Sequence, residues 1–169
     1  RQRQMCIRDR YITLSALLKH GDTMISLSGA PYDSLQEMIG ISGDSSQSLK
    51  AAGVKYEQIE LINDDFDDQM IIERLKEKNI KLVEIQRSRG YSHRKSLSIA
   101  KIERIIKKIR EVNDEVIIMV DNCYGELVET KEPGHVGADI VVGSLMKNLG
   151  GGIAPTGGYV VGNQNLVYM

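Results

Sequence analysis

Short unbroken apolar runs alternate along this chain with longer stretches in which apolar residues recur every three or four positions. MISLS (24–28), KYEQIEL (55–61), KLVEIQ (81–86), and the runs 116–120 and 140–142 read as strands. Between them, SLQEMIGI (34–41) reads as a short helix and DDQMIIERLKEKN (67–79) as a helix capped by Asp67. SIAKIERIIKKIREVN (98–113) carries the clearest helical period. Its Ile99, Ile102, Ile105, Ile106, Ile109 and Val112 form one stripe, with Lys and Arg opposite on a face that reads as solvated. The strand runs are continuous and β-branched, as in parallel strands buried on both faces. Strands alternating with helices predict an α/β fold of three layers, α/β/α, around a mainly parallel sheet.

In such sheets ligands bind in the crevice beyond the carboxyl ends of the strands. The segments to inspect are therefore SGAPYD, QRSRGYSHR, DNCYGE and GSLMKNLGGG, each of which follows a predicted strand. Together they bring an acid, a lysine, tyrosines, arginines and many glycines to one edge.

Composition narrows the picture only modestly. At 41% hydrophobic and 27% charged the chain suits one ordinary globular core. A formal charge of −1 offers no electrostatic reason for a nucleic-acid or anionic-membrane partner. Two cysteines, Cys6 and Cys123, make neither a disulfide framework nor a zinc site, and His20, His93 and His135 have no metal-ligand spacing, so no metal is expected. This cysteine usage suits a reducing cytoplasm. Residues 1–10, RQRQMCIRDR, hold four arginines and no apolar period, and MCIRDR back-translates to a string resembling a sequencing-adapter end. They read as a non-native tail. Without them 18 basic side chains face 22 acidic ones, a net charge of −4. GYVVG (158–162) reads as a further strand, and a parallel strand needs a neighbour on each side. Residues 11–169 are accordingly read as an internal piece of a larger protein.

Asp121 closes one strand run, and Lys147 lies just past the next, ahead of three glycines. A lysine held in a dry, flexible loop suits Schiff-base chemistry, and a buried acid at a neighbouring strand end can keep a pyridinium nitrogen protonated. Those are the two poles of pyridoxal phosphate. Ser144, three residues before Lys147, is placed to donate to the cofactor phosphate.

VDNCYGELVE, HVGADIVVGSLMKNLGGG and APTGGYVVG resemble the methionine gamma-lyase-like group, also called the aluminium resistance protein family, within fold type I of the pyridoxal phosphate enzymes. SGAPYDSLQEMIGI and IQRSRGYSHR resemble its upstream segments. The resemblance implies Lys147 as the Schiff-base lysine, Asp121 as the ring-nitrogen partner, Ser144 as a phosphate ligand and Tyr32 as the aromatic over the ring and a proton donor to a leaving sulfur. Gln86, Arg87 and Arg89 stand where contacts to the cofactor's phenolic oxygen or a substrate carboxylate arise. The implied activity is carbon–sulfur elimination from an amino acid by a homodimer or homotetramer, with an aminotransferase or another amino-acid lyase as the alternative. Ser-Leu-Met-Lys departs from the Ser-x-Thr-Lys of better-known relatives, since Met146 removes one phosphate hydroxyl. Residues 1–169 alone are expected neither to turn over an amino acid nor to hold the cofactor tightly.

Two other classes compete. Ser144-x-x-Lys147 also fits a serine acylase, but the Ser-Asp-Asn and Lys-Thr-Gly segments that such enzymes need do not occur. A nucleotide-binding module would need Gly-x-x-x-x-Gly-Lys or Gly-x-Gly-x-x-Gly opening a helix, and neither is present.

Overall fold

The computed structural model describes residues 3–77 and 79–168, with side chains from residue 9 onward. Helix α1 (Arg3–Leu17) precedes β1 (Thr23–Ser26), α2 (Asp33–Ile39) and β2 (Lys55–Gln58). Then come α3 (Asp68–Leu75), β3 (Ile80–Gln86), α4 (Ile99–Val112) and β4 (Ile117–Asp121). A single 3-10 turn (Pro133–Val136) leads to β5 (Ile140–Ser144), β6 (Gly158–Gly162) and the short α5 (Gln164–Val167). The strands form one sheet in the order β2-β1-β3-β4-β5-β6, with β1 to β5 mutually parallel.

Helix ends follow local chemistry. Asp67 accepts from Met70 N and Ser98 from Lys101 N, each satisfying a donor that the first helical turn leaves open. Gly40 ends α2 at φ +90°, a conformation that costs a residue without Cβ little.

Alternation along the strands sorts the two faces of the sheet. Ile118 and Val120 of β4, with Val83 and Ile85 of β3, pack beneath α3 and α4, where Ile102, Ile105 and Ile109 are fully buried. Ile117 and Met119, with Leu82 and Val142, pack beneath α1 and α2 through Leu14, Leu17, Leu35 and Ile39. The predicted three-layer α/β/α arrangement is thus present. Val112 departs from the expected stripe: in the last turn of α4 it is exposed.

Two strands differ from expectation. The β2 ladder stops at Gln58, although Ile59 N still donates to Ser26 O. β6 runs antiparallel to β5 at the sheet edge. The physical reason is the connection: 145–157 contains no helix, and a parallel return needs a crossover. No described helix is long and apolar enough to cross a membrane.

Candidate functional site

The same alternation that buries Ile117 and Met119 under α1 and α2 points Asp121 to that face, at the carboxyl end of β4. Its carboxylate is 2% exposed, so water cannot stabilise its charge. The compensating cation comes from α1. Arg10 precedes Leu14 by one turn and Leu17 by two, on the same buried stripe, and is 0% exposed. Arg10 Nε donates to Asp121 Oδ2 and Nη2 donates to Oδ1 at 2.7 Å, a bidentate fork. Cys123 N adds a third donor, 3.0 Å from Oδ1. Burial pushes the Asp121 carboxyl up, but the charge and hydrogen bonds of Arg10 outweigh it, and the group sits below the usual carboxylate range. For Arg10, burial opposes the cation and Asp121 more than restores it.

Lys147 lies in the loop after β5, half-buried, with Nζ 4.2 Å from the centroid of the Tyr124 ring. Tyr124 itself adopts φ +64°, a left-handed backbone that a bulky residue holds only under constraint. The constraint is visible in the loop DNCYGE. Arg87, 3% exposed, donates through Nη1 to Asn122 Oδ1 at 2.8 Å and Gly125 O at 2.7 Å, and through Nη2 to Glu129 at 2.6 Å. A Cβ on Gly125 would stand 2.5 Å from Arg87 Nη1, so the clamp requires glycine there. Arg87 is therefore engaged in shaping the loop, and Arg89 is exposed.

A cavity of about 180 Å³ opens between these groups, lined by Arg10, Tyr32, Asp121, Cys123, Tyr124 and Lys147, with Tyr91 at its border. The structure brings Tyr32, Asp121 and Lys147 together on one space. Gln86 and Ser144 lie outside its lining. Gln86 Oε1 accepts from Tyr32 N at 2.9 Å and Nε2 donates to Ser88 O at 3.0 Å, so Gln86 sets the position of Tyr32. Ser144 is the last residue of β5, inside the strand rather than in the loop after it, and is 0% exposed, with Met146 N donating to its Oγ at 3.3 Å. Burial, and then the charge of Asp121, push the Cys123 thiol up to about 11. It is a neutral packing group at pH 7. His135 serves the 3-10 turn, its Nδ1 accepting from Glu132 N at 3.0 Å.

Sequence reasoning passed over Arg10, Tyr124 and Glu84. The signal for Arg10 was its spacing from Leu14, and that for Tyr124 was adjacency to Asp121 in a post-strand loop. Glu84 breaks an apolar strand on the same face as Asp121. Its Oε2 accepts from Ser26 Oγ at 2.6 Å, and its Oε1 has no hydrogen-bond partner. Burial chiefly, with the charge of Asp121 adding and Ser26 opposing, raises its pKa from 4.5 to about 7. A raised carboxyl folds at least cost when protonated in both states. Stability is therefore full below about 4.5 and is lost as pH rises to about 7. The loss amounts to about 3 kcal/mol at 1.36 kcal/mol per unit. Glu84→Gln is expected to remove that slope, read as urea stability at pH 5 and pH 8. An equal slope in both proteins would place the proton elsewhere.

The methionine gamma-lyase family model matches residues 9–169. The crystal structure of a candidate cystathionine beta-lyase involved in aluminium resistance, from Clostridium acetobutylicum, is 50% identical with a TM-score of 0.93. It aligns with 96% of this chain, which spans 39% of it. A carbon-sulfur lyase involved in aluminium resistance from Clostridium novyi NT is 42% identical at a TM-score of 0.91, over 96% of this chain and 39% of its own. The uncharacterized protein YnbB of Bacillus subtilis is 43% identical over 89% of this chain, which covers 36% of YnbB. The layered sheet is that of the large domain of fold type I pyridoxal phosphate enzymes. With the match running from Asp9 through the Asp121 and Lys147 loops to the last residue, the chain belongs to the methionine gamma-lyase family.

Proposed function

We propose that this chain is part of a pyridoxal phosphate-dependent lyase that eliminates a sulfur group from an amino acid. Residues 11–169 would supply part of the cofactor-binding domain and residues 1–10 a non-native tail. The observation that carries this reading is a water-excluded carboxylate and a lysine facing one cavity at the carboxyl edge of a parallel sheet. The donor set fits the group. Asp121 demands a cation, as a protonated ring nitrogen is, and Lys147 offers a primary amine on the same cavity; Ser144, the expected phosphate ligand at the end of β5, is buried outside that lining. When bound, pyridoxal phosphate supplies an electron sink for the carbon bearing the amino group.

The chain's own residues do the rest. Asp121 would hold a proton on the ring nitrogen, because a carboxylate buried this deeply keeps its charge only beside a cation. The Lys147 amine would take the proton from the substrate Cα, and the face of Tyr124, 4.2 Å from Nζ, holds that amine at the cavity. Tyr32, fixed through its backbone by Gln86, would stack on the cofactor ring and deliver a proton to the leaving sulfur. A homodimer or homotetramer completing the site belongs to the same reading.

The test is to incubate the whole protein separately with cystathionine, methionine and cysteine. Release of thiol together with a keto acid and ammonia is expected. Amino-group transfer to an added keto acid without thiol would make it an aminotransferase. Acylation of Ser144 by a β-lactam would overturn both.

A further inference from the structure

We infer that the groove between β5, β6 and the loop 122–135 seats a helix from the rest of the same protein, one that lays an apolar stripe on the sheet and brings a lysine or arginine to Glu126. The inference goes beyond the lyase reading and stands whether or not that reading does.

Alternation puts Val142 and Val160 into the core beneath α1 and α2. Val141 and Val161, cross-strand partners, turn the opposite way, yet no described residue of β5 or β6 joins the core beneath α3 and α4. Instead they line an open groove of about 510 Å³ with Leu127, Leu145, Leu149 and Tyr159. Leu127, Leu149 and Val161 are exposed there. This apolar face is left to water, and a helix is what the three-layer order sets on it.

Charge names the occupant more narrowly. Glu126 forms part of the groove wall and is 3% exposed. Tyr159 Oη donates to its Oε1 at 3.0 Å, while Oε2 is shut off from water and finds no partner among the described residues. The Arg87 guanidinium, bonded to Gly125 O, serves Glu129 and Glu132 instead. A buried carboxylate oxygen in that state calls for a positive partner. A second copy of α4 does not supply it, because Lys101, Arg104, Lys107 and Lys108 already pair with Asp65, Asp68 and Glu103. The chain spans 39% of the Clostridium acetobutylicum structure it matches, so most of such a protein remains to furnish the helix.

Occupancy reaches the candidate site from behind. Leu145 and Leu149, which flank Lys147, both line the groove, and Asn148 Nδ2 donates to Glu126 O at 2.9 Å. A docked helix therefore holds the Lys147 loop against the loop that follows Asp121.

The experiment uses the whole protein grown with photo-leucine, as an equal mixture of light and isotope-heavy copies, irradiated and mapped by mass. Crosslinks from Leu127, Leu145 or Leu149 should reach a segment outside residues 1–169 that carries a lysine or arginine, and should join light to light and heavy to heavy. Hybrid pairs of light with heavy would give the groove to a second copy. Links confined to residues 1–169, or quenching by water alone, would leave it open. Either result overturns the inference. Glu126→Gln keeps the acceptor for Tyr159 and removes the charge, so amide exchange across 145–150 should quicken about tenfold or more. Replacing the cation of the crosslinked segment by glutamine should do the same, and the two changes together should add little beyond either one. Fully additive effects would remove the ion pair and, with it, the occupant named here. Should Glu126→Gln not fold, the crosslink map of the protein with Glu126 intact still decides.

Discussion

Lys147→Ala is expected to leave no borohydride-trappable cofactor adduct at this site and to lower turnover of the whole protein by about 10³-fold or more. That figure is the upper part of what one positioned proton-transfer group contributes, since the amine is asked both to bind the cofactor and to move the Cα proton. Fold stability should hardly change. Lys147 is half-buried in a loop, beside the Tyr124 ring and the Cys123 thiol, and the loss of a surface-type cation–π contact is worth about 0.5–1 kcal/mol. Lys147→Arg separates charge from nucleophilicity, because it keeps the cation over Tyr124 yet cannot condense with an aldehyde. It should melt normally and remain inactive. Near-normal turnover in Lys147→Ala, with an adduct mapped to another lysine, would remove Lys147 from its proposed role.

Much of this arrangement was legible in the chain because the relevant signals are local. The Ile stripe from Ile99 to Ile109 predicts a helix with one buried face, and α4 buries that face. Continuous β-branched runs predict parallel strands covered on both sides, as β3, β4 and β5 are. Asp121 and Lys147 stood out because an acid at the end of one buried strand and a lysine past the next must emerge at the same edge. Tyr32 joins them on the cavity only because the loop after β1 folds back, with its backbone N–H held by Gln86.

What sequence left out depends on contacts far apart in the chain. Arg10 and Asp121 are 111 positions apart, and nothing in RQRQMCIRDR announces an apolar face. Residues 1–10, read as a tail, include the cation that neutralises Asp121 in this structure. The stripe becomes visible only when Arg10 is counted with Leu14 and Leu17, as a polar residue at an otherwise apolar spacing. Glu84 was hidden differently. An acid inside KLVEIQ reads as an interruption of the strand, whereas the sheet buries it opposite Ser26. The reversal of β6 was set by the connection before it, since strand propensity carries no direction.

Asp121→Asn is expected to destabilise the chain by about 3–5 kcal/mol at pH 7, because it leaves the Arg10 guanidinium buried beside a neutral amide. The amide can still accept one hydrogen bond, but its NH₂ turns a second donor toward Arg10 where a carboxylate oxygen accepted. The pH dependence carries the diagnosis. Arg10 holds Asp121 below its unfolded pKa, so the stabilisation is present above about pH 4 and is lost as pH falls through the lower folded value. The gap between the original chain and Asp121→Asn should therefore narrow toward pH 3, in urea titrations at constant ionic strength. Glu84 loses stability in the opposite direction, between about 4.5 and 7, and separates cleanly from this effect. Asp121→Asn should shift that second transition to lower pH as well, since the Asp121 charge is one of the forces raising the Glu84 pKa while the charge of Arg10, which lowers it, remains. A gap that stays constant from pH 7 to pH 3 would mean that folding leaves the Asp121 pKa where it is in the unfolded chain, so that Arg10 does not stabilise its charge.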